Sequence, residues 1–313
     1  MEIQFWGVRG SVPSPLSPEQ VKEKIDEVIR RTSPEDLESE ESKERFLESL
    51  PEWLYGTAGG NTPCVSLVSE DGEKIIFDAG SGIRSLGKSD FASGAYSRYS
   101  LFFSHFHWDH VQGLPFFDSV YNQNSVFDVY SPFENMRGIL SGQMEKPYYP
   151  VSFDSFSKKI AFHQIEAGKE FQIGNLRVNS IRMSHPGGSC SYCVSENEKK
   201  FVYATDVELC AGDFENTPQM KAVFENADAL VFDAQYTAEE AARKEYWGHS
   251  AFCRALDFAS FWNVKRIYLF HHEPAYDDKK LNKILTAARW YSDYILTGNL
   301  EVFLAVEGLK IKL

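Results

Sequence analysis

Short apolar runs bounded by turn residues recur along most of the chain and predict β-strands. Residues 2–6 alternate weakly between polar and apolar side chains, which is the two-residue period of a strand. The runs Cys64–Val68 and Lys74–Phe77 flank an Asp-Gly pair at 71–72, and such a pair is a strong signal for a hairpin turn. Similar runs predict further strands at 100–104, 125–130, 171–184, 190–195, 200–205, 229–233, 265–271 and 301–313.

A period of about 3.6 residues replaces this pattern in several segments and predicts helices. Residues 17–20, Ser-Pro-Glu-Gln, combine an N-cap, a proline in the first turn and a capping-box glutamine. Residues 33–36 have the pattern of a second helix start. The apolar residues after the first start share one helical face: Val21, Ile25, Val28 and Ile29. Further predicted helices are 111–120, 131–141, 237–244, 249–262 and 277–294.

The order of these elements predicts an α/β fold. Strands come in runs with helices between and after them, which favours sheets packed face to face with helices outside. No internal repeat or low-complexity linker divides the 313 residues, so we expect one domain over 1–313. Residues 14–56 stand apart as a helical insertion that is acidic, since 17–52 contain 12 acidic and 6 basic residues. The insertion is either a solvated surface or a lid over the functional site.

Composition narrows the class of protein. Hydrophobic residues make up 43% of the chain and charged residues 25%, which is enough for a globular core. The formal net charge of −13 argues against an extended nucleic-acid footprint, because such a footprint needs many basic residues facing phosphates. A small anionic substrate stays open, because bound dications would dominate the local field.

The sequence also predicts a cytoplasmic protein without a membrane segment. No run approaches about 18 apolar residues, and the N-terminal residues lack the basic and apolar regions of a signal peptide. An odd number of cysteines in a chain of this size argues against a disulfide framework: Cys64, Cys190, Cys193, Cys210 and Cys253. The single Cys-x-x-Cys among them is expected to pack rather than to bind structural zinc.

A cluster of histidines carries the clearest chemistry. Three of the eight histidines, His105, His107 and His110, lie within six positions, with Asp109 among them. An apolar strand leads into the cluster, so His105 and His107 should point the same way. Asp109 and His110 would reach a second position from the following turn. Neutral imidazoles and a carboxylate suit Zn²⁺ or a related divalent ion such as Mn²⁺.

The His-x-His-x-Asp-His run resembles the motif of the metallo-β-lactamase superfamily. Residues that match the family's other motifs follow in the family's order: Asp78, His185, Asp206 and His271. The resemblance covers residues 1–13 and 57–313. It implies a four-layer αβ/βα sandwich and a hydrolase with two divalent metal ions.

The resemblance also implies which side chains bind the two ions. Seven ligands are expected, three for one ion, three for the other and one bridging carboxylate: His105, His107 and His185; Asp109, His110 and His271; and Asp206. His272 is a rival to His271 because the two are adjacent. Asp78 is expected to support the ligand loop by hydrogen bonds rather than to bind metal.

Two further motifs resemble the ribonuclease Z-like and cyclic phosphodiesterase branch, which includes phosphoribosyl cyclic phosphodiesterases. Asp233 ends a strand where those nucleases usually carry glutamate, and His249 lies in a Gly-His-Ser motif. The two would form a carboxylate–imidazole pair; alternatively, Asp233 bonds the backbone and His249 caps a helix. The pair suits a phosphodiesterase in which a metal-bridging hydroxide attacks phosphorus and His249 protonates the leaving alkoxide. Together with Asp109, they are the expected catalytic residues.

Four residues are candidates for substrate contacts. Arg9 would meet a phosphate or brace a loop. Asn61 would contact substrate or fix a tight turn. Trp108 and Trp247 would stack on a base or pack in the core.

The sequence favours a small cyclic or linear phosphodiester as the substrate. The extra segment 17–52 is acidic, and we find no basic arm of the kind that grips transfer RNA in ribonuclease Z. The alternatives are a thioester or lactone hydrolase of the same fold, ribonuclease Z-like RNA processing, and a metal-binding adaptor without activity. A homodimer is compatible with the resemblance, although the sequence marks no interface.

Overall fold

Two β-sheets form the centre of the structure, a computed structural model that describes residues 1–296 and 298–313. In these residues each sheet has seven strands. The strands in chain order are β1 (Glu2–Gly7), β2 (Cys64–Val68), β3 (Lys74–Phe77), β4 (Arg98–Phe102), β5 (Val126–Ser131), β6 (Ile160–Gln164), β7 (Phe171–Ile173), β8 (Leu176–Met183), β9 (Ser189–Glu196), β10 (Lys199–Ala204), β11 (Ala229–Asp233), β12 (Arg266–Phe270), β13 (Glu301–Leu304) and β14 (Lys310–Lys312).

Each sheet is half parallel and half antiparallel. The first has the order β14-β1-β2-β3-β4-β5-β6, and the second has the order β13-β12-β11-β10-β9-β8-β7. Strands β3 to β6 run parallel to one another, and so do β10 to β13. The other neighbouring strands are antiparallel. Each sheet therefore has one edge where the carboxyl ends of several strands meet.

Helices pack on the outer faces of the two sheets. Those in the described residues are α1 (Pro18–Arg31), α2 (Glu40–Ser49), α3 (Glu52–Tyr55), α4 (Ile83–Ser93), α5 (Trp108–Val111), α6 (Met136–Gly142), α7 (Pro218–Phe224), α8 (Ala238–Arg243), α9 (Phe252–Phe261) and α10 (Asp278–Tyr291). Buried residues form one apolar layer between the sheets and one on each outer face, so the expected four-layer sandwich is confirmed. None of the described helices has both the length and the apolar composition needed to cross a bilayer.

Successive side chains of the buried strands point to opposite faces of the sheet, and both faces are apolar. On β10, Phe201 and Tyr203 point into the layer between the sheets, while Val202 and Ala204 point toward the helices. Phe77 of the first sheet stacks on Tyr203 with ring centroids 5.1 Å apart. The uninterrupted apolar run of β10 thus suits a strand that is covered on both sides.

Two predicted strands are divided in the structure. The run 171–184 forms the β7–β8 hairpin, because Gly174 turns the chain with a φ of 56°, a conformation that glycine adopts easily. The run 301–313 contributes β13 to the second sheet and β14 to the first. Gly308, with a φ of 87°, lies in the connection between these two strands.

Helix predictions were less accurate than strand predictions. The helix predicted at 111–120 is wrong beyond Val111, where 3₁₀ turns replace it, because Pro115 lacks the amide hydrogen that a continuing helix needs. The helix predicted at 131–141 begins only at Met136, since β5 continues through Ser131. Three elements were not predicted at all: β6, α4 and α7.

The acidic segment forms three α-helices, of which α1 and α3 lie beside α10. Ser17 Oγ accepts a hydrogen bond from the Gln20 amide at 3.3 Å, and Gln20 Oε1 accepts one from the Ser17 amide at 2.9 Å, so the predicted capping box is present. Lys24 Nζ lies 2.5 Å from Asp278 Oδ2 at the start of α10. No residue of α1 or α2 is buried, as the solvated-surface alternative expects.

Candidate metal centre

Loops at the carboxyl ends of parallel strands carry most of the predicted ligands, and His185 follows the antiparallel strand β8. Asp78 follows β3, the run 105–110 follows β4, Asp206 follows β10 and His271 follows β12. Asp78, Asp206 and His271 have φ values of 58°, 55° and 59°, a left-handed conformation that residues other than glycine seldom adopt. The chain turns sharply at each of these positions, which holds the three side chains at one edge of the sandwich.

Three overlapping groups in the described residues could hold a metal ion, and the third combines His249 with Asp206 and His271. Four side chains form the first group. Their ligand atoms lie within 4.8 Å of one another: His105, His107, His185 and Asp206. His185 Nε2 is 3.1 Å from His107 Nδ1 and 3.6 Å from Asp206 Oδ1. His105 Nε2 is 3.7 Å from the same carboxylate oxygen. Three imidazole nitrogens and one carboxylate oxygen are a suitable donor set for Zn²⁺. We name these residues the first ligand group.

The second ligand group consists of Asp109, His110 and His271. Asp109 Oδ2 is 3.3 Å from His110 Nε2 and 3.2 Å from His271 Nε2. Asp206 Oδ2 is 3.2 Å and 3.3 Å from the same two nitrogens. Because Asp206 Oδ1 faces the first ligand group, the two oxygens of this carboxylate face different ligand groups.

Two buried imidazole nitrogens in these groups have no hydrogen-bond partner among the described residues. They are Nε2 of His105 and Nε2 of His110. An unpaired polar atom in a protein interior is unfavourable by roughly 1–3 kcal/mol. The lone pair of an unprotonated imidazole nitrogen can instead bind a divalent cation. The residues present therefore fit bound divalent metal.

The electrostatics of the cluster favour bound positive charge. Burial opposes charge on His110, yet the neighbouring carboxylates, chiefly Asp109 and Asp206, raise its pKa well above the usual range. Burial also opposes charge on Asp206, yet the surrounding imidazoles, chiefly that of His271, hold its pKa well below the usual range. The carboxylates therefore stay ionised and attract cations.

Asp78 supports the loop that carries the ligands. Its Oδ2 accepts hydrogen bonds from His110 Nδ1 at 2.8 Å and from the Tyr203 hydroxyl at 2.8 Å. Both the amide and the hydroxyl of Ser104 donate to the same carboxylate, at 2.8 Å and 2.7 Å. The hydrogen bond from His110 Nδ1 to the Asp78 carboxylate leaves Nε2 of His110 facing the cluster. Asp78 thus has the position of a residue that supports a ligand by hydrogen bonds.

Two other ligands are oriented by groups that sequence reasoning missed. His185 Nδ1 donates to the carbonyl oxygen of Gly248 at 2.8 Å. His271 Nδ1 donates to Gln235 Oε1 at 3.0 Å. Each bond leaves Nε2 of the ring free to face the cluster. In the sequence, the one signal for Gln235 and Gly248 is that each lies close to a motif residue. Gln235 follows Asp233 by two positions, and Gly248 directly precedes His249.

Asp233 and His249 form the predicted pair beside the ligand groups. His249 Nδ1 lies 2.6 Å from Asp233 Oδ2, and the His249 ring stacks on that of His271 with centroids 4.8 Å apart. The carboxylate also accepts hydrogen bonds from backbone amides, so it is held from several sides. Helix α9 is capped by Ala251, so His249 does not serve as its cap.

The rings of His271 and His272 point in different directions. His271 faces the carboxylates of the second ligand group. His272 Nε2 instead bonds to the carbonyl oxygen of Ala305 at 2.8 Å, and burial lowers the pKa of this imidazole to about 3. His271 is therefore the candidate ligand, and His272 has a structural role.

Two of the residues considered for substrate contact instead shape loops. Arg9 is 2% exposed, and its guanidinium donates to the carbonyl oxygens of Gly59 at 2.8 Å and Tyr276 at 2.7 Å. Arg9 therefore braces loops, and the predicted contact of Arg9 with a substrate phosphate is wrong. Asn61 donates from Nδ2 to Glu307 Oε2 at 2.9 Å, so its side chain fixes the loop rather than reaching a substrate.

Trp108 and Trp247 lie at the surface next to the ligands. Trp108 follows His107 and is 73% exposed, and Trp247 precedes Gly248 and is 62% exposed. Packing in the core, the alternative considered for both, is therefore wrong. The ammonium group of Lys244 lies 5.5 Å from the ring centroid of Trp247.

Two glycines allow the backbone to approach ligand rings closely. A Cβ at Gly10 would lie 2.5 Å from Cε1 of His271, and a Cβ at Gly248 would lie 2.2 Å from Nδ1 of His185. The amide of the residue after Gly10 also donates to Asp109 Oδ2 at 2.8 Å. Gly248 was part of the predicted Gly-His-Ser motif, but the sequence indicated this role for neither glycine.

Gly10→Ala is expected to weaken cation binding by the second ligand group by about tenfold or more, because the added methyl group must displace the His271 ring. Competition with a chromophoric chelator measures the affinity. Gly142→Ala, where a Cβ meets nothing within 4 Å, is the matched control and should bind like the wild type. Equal affinities in the two variants would contradict the close-contact role of Gly10.

A four-layer sandwich with histidines and aspartates clustered at its strand ends defines the metallo-β-lactamase class of hydrolases. The family model described as beta-lactamase superfamily domain matches residues 73–272, and the chain belongs to that family. The matched range contains all seven candidate ligands.

Individual relatives are distant. Ribonuclease Z of Prochlorococcus marinus is 26% identical over 69% of this chain and 83% of its own length. The structure of human tRNase Z, short form, superposes with a TM-score of 0.60 at 19% identity, covering 100% of this chain and 99% of that one. A diphosphatase of the PhnP family superposes with a TM-score of 0.60 at 15% identity, covering 100% and 97%. At these identities the structures are evidence for the fold alone.

Proposed function

We propose that the protein is a phosphodiesterase that cleaves a small cyclic or linear phosphodiester with two bound divalent cations. The observation that carries the proposal is the Asp233–His249 pair, with 2.6 Å between Oδ2 and Nδ1, directly beside both ligand groups. Thioester or lactone hydrolysis would use the same cations but has no evident need for such a pair.

The two ligand groups and Asp206 would hold the cations. When bound, the cations would polarise the phosphoryl oxygens and lower the pKa of a water molecule. Asp206 is a member of the first ligand group and also faces the second, because its two oxygens lie near different imidazoles. The hydrogen bonds of Asp78, Gln235 and the Gly248 carbonyl keep the ligand rings in place.

His249 would supply the proton that the leaving alkoxide needs. Burial lowers the pKa of His249, but the Asp233 carboxylate outweighs burial and raises the pKa to about 9. The carboxylate therefore favours the protonated imidazole, which is the form that a general acid needs. Asp233 holds the ring by Nδ1, which leaves Nε2 to donate.

The ribonuclease Z relatives favour a second candidate, processing of an RNA precursor, more than the sequence alone did. The similarity to the Prochlorococcus ribonuclease Z covers 69% of this chain. The net charge of −13 favours the small substrate, because an RNA footprint needs cationic surface. Both candidates use the same metal groups and the same His249.

A panel of substrates tests the proposal. Protein loaded with Zn²⁺ or Mn²⁺ should hydrolyse bis-p-nitrophenyl phosphate and at least one cyclic phosphodiester. A precursor transfer RNA, a thioester and a lactone are assayed beside them. Cleavage of the RNA alone would favour the second candidate, and turnover of the thioester or lactone alone would contradict phosphodiester chemistry. Asp206→Asn is the matched inactive variant, which excludes contaminating hydrolases.

A further inference from the structure

The loop 244–249, between α8 and α9, is exposed to solvent but carries functional groups. Tyr246, in the middle of the loop, is 80% exposed. Gly248 supplies the carbonyl oxygen that orients the ring of His185, and His249 is the proposed proton donor. Exposed loops are commonly mobile, whereas groups that orient a metal ligand need a fixed position. A specific contact is therefore required to hold this loop in place.

The side chain of Glu208 makes such a contact through two hydrogen bonds. Its Oε1 accepts one from the backbone amide of Tyr246 at 2.7 Å, and its Oε2 accepts one from the backbone amide of Gly248 at 2.7 Å. Tyr246 has a φ of 68°, and a left-handed residue in a turn directs nearby amides toward one anion. Hydrogen bonds from amides to a carboxylate are stronger than those to a neutral acceptor. Both oxygens of Glu208 thus hold the loop.

Glu208 is itself attached to the segments that carry two candidate ligands. It follows Asp206 by two positions. Its backbone amide donates to the carbonyl oxygen of Ser184, the residue directly before His185, at 2.9 Å. Glu208 therefore connects the loop 244–249 to both segments, and the length of its side chain sets the distance between them.

Gly248 is bonded at both of its backbone polar groups. Its amide donates to Glu208, and its carbonyl oxygen accepts a hydrogen bond from His185 Nδ1 at 2.8 Å. The two residues fit closely, because a Cβ on Gly248 would lie only 2.2 Å from that ring nitrogen. A small shift of the loop would therefore weaken the bond to His185 or press the backbone against its ring.

We propose that Glu208 is a positioning residue for metal binding. Its carboxylate fixes the loop 244–249 so that the Gly248 carbonyl holds the His185 ring with Nε2 toward the first ligand group. Glutamine cannot replace it, because an amide has one acceptor oxygen and would turn its NH₂ group toward the second backbone amide. The inference concerns cation binding alone, so it does not depend on which bond the protein hydrolyses.

Competition with a chromophoric chelator tests the proposal on the full chain. Glu208→Gln should bind Zn²⁺ at least about tenfold more weakly than the wild type, which is the usual effect of losing a group that orients a ligand. Asp228→Asn is the matched control. Asp228 also accepts a backbone amide, that of Lys200, at 2.8 Å, but it precedes β11 at the end of the strand away from the ligand groups. This variant should bind Zn²⁺ like the wild type, and thermal melts compare the stability of both variants.

Hydrogen exchange followed by NMR separates positioning from a general effect on stability. In the Zn²⁺-loaded wild type, the amides of Tyr246 and Gly248 should exchange at least about tenfold more slowly than that of the exposed Glu245. The Nδ1 proton of His185 should exchange at least about tenfold faster in Glu208→Gln than in the wild type, both saturated with Zn²⁺.

Fast exchange of the two loop amides would overturn the proposal, and this measurement needs no variant. Equal Zn²⁺ affinities in Glu208→Gln and the wild type would also overturn it. So would equal losses of affinity in Glu208→Gln and Asp228→Asn, or an unchanged exchange rate of the His185 proton.

Discussion

Asp206→Asn is expected to abolish the binding of a cation pair and to reduce hydrolysis by about 10³-fold or more. Its carboxylate oxygens lie 3.2–3.7 Å from imidazole nitrogens of both ligand groups, and an amide cannot supply negative charge to two cations. Groups that only orient ligands already change affinity or activity by about 10–100-fold, so losing a shared ligand must do more. Metal content per chain after equilibration with Zn²⁺, measured together with turnover, checks the result.

A buried aspartate outside the cluster provides the control for this variant. Asp128 is 8% exposed on β5 and pairs with Arg98 at 2.7 Å and His163 at 2.8 Å. Asp128→Asn should bind two cations per chain and retain turnover, although it loses some stability. Two tightly bound cations in Asp206→Asn would show that the carboxylate does not bridge.

His249→Ala is expected to slow cleavage of phosphodiesters with poor leaving groups by about 10²–10⁴-fold while both cations remain bound. The imidazole is held by Asp233 at 2.6 Å, and its loss removes the proton donor. A p-nitrophenolate leaving group needs little protonation, so bis-p-nitrophenyl phosphate should be much less affected than a cyclic nucleotide. Comparing kcat for the two substrates, with metal content measured on the same samples, isolates proton donation.

Asp233→Asn provides the companion measurement. An amide still bonds the ring but no longer stabilises its charge, so we expect a smaller, leaving-group-dependent loss of rate. An equal loss of rate for both substrates in His249→Ala, or loss of a cation, would assign His249 to the metal groups. That outcome is a genuine alternative, because the ligand atoms of His249, Asp206 and His271 lie within 4.8 Å of one another.

The convergence of the ligand groups was predictable from the sequence because it follows from strand geometry. An apolar strand that ends at His105 places alternate side chains on one side, and other strands end at Asp78, Asp206 and His271. Parallel strands bring such ends to a common edge. The family resemblance supplied the grouping, and the structure gives the distances: within each group the ligand atoms lie within 4.8 Å of one another.

What could not be predicted depends on contacts between distant segments. Arg9 satisfies the carbonyl oxygens of Gly59 and Tyr276, and no local pattern indicates which carbonyl groups lack a partner. The left-handed conformation of His271 is likewise set by tertiary packing and not by its propensity. The predicted helix at 111–120 had the right spacing of apolar residues, but the same spacing is compatible with consecutive short turns around Pro115.

The pairing of β1 also determines how long the nascent chain is prone to aggregate during translation. In the first sheet, β1 lies between β2 and β14, and its partner residues on β14 are 310–312. Translation at roughly 5–20 residues per second leaves one side of β1 unpaired for about 15–60 s while the intervening chain is made. Unpaired strand edges promote aggregation, so translation speed sets the length of the interval in which the nascent protein is at risk.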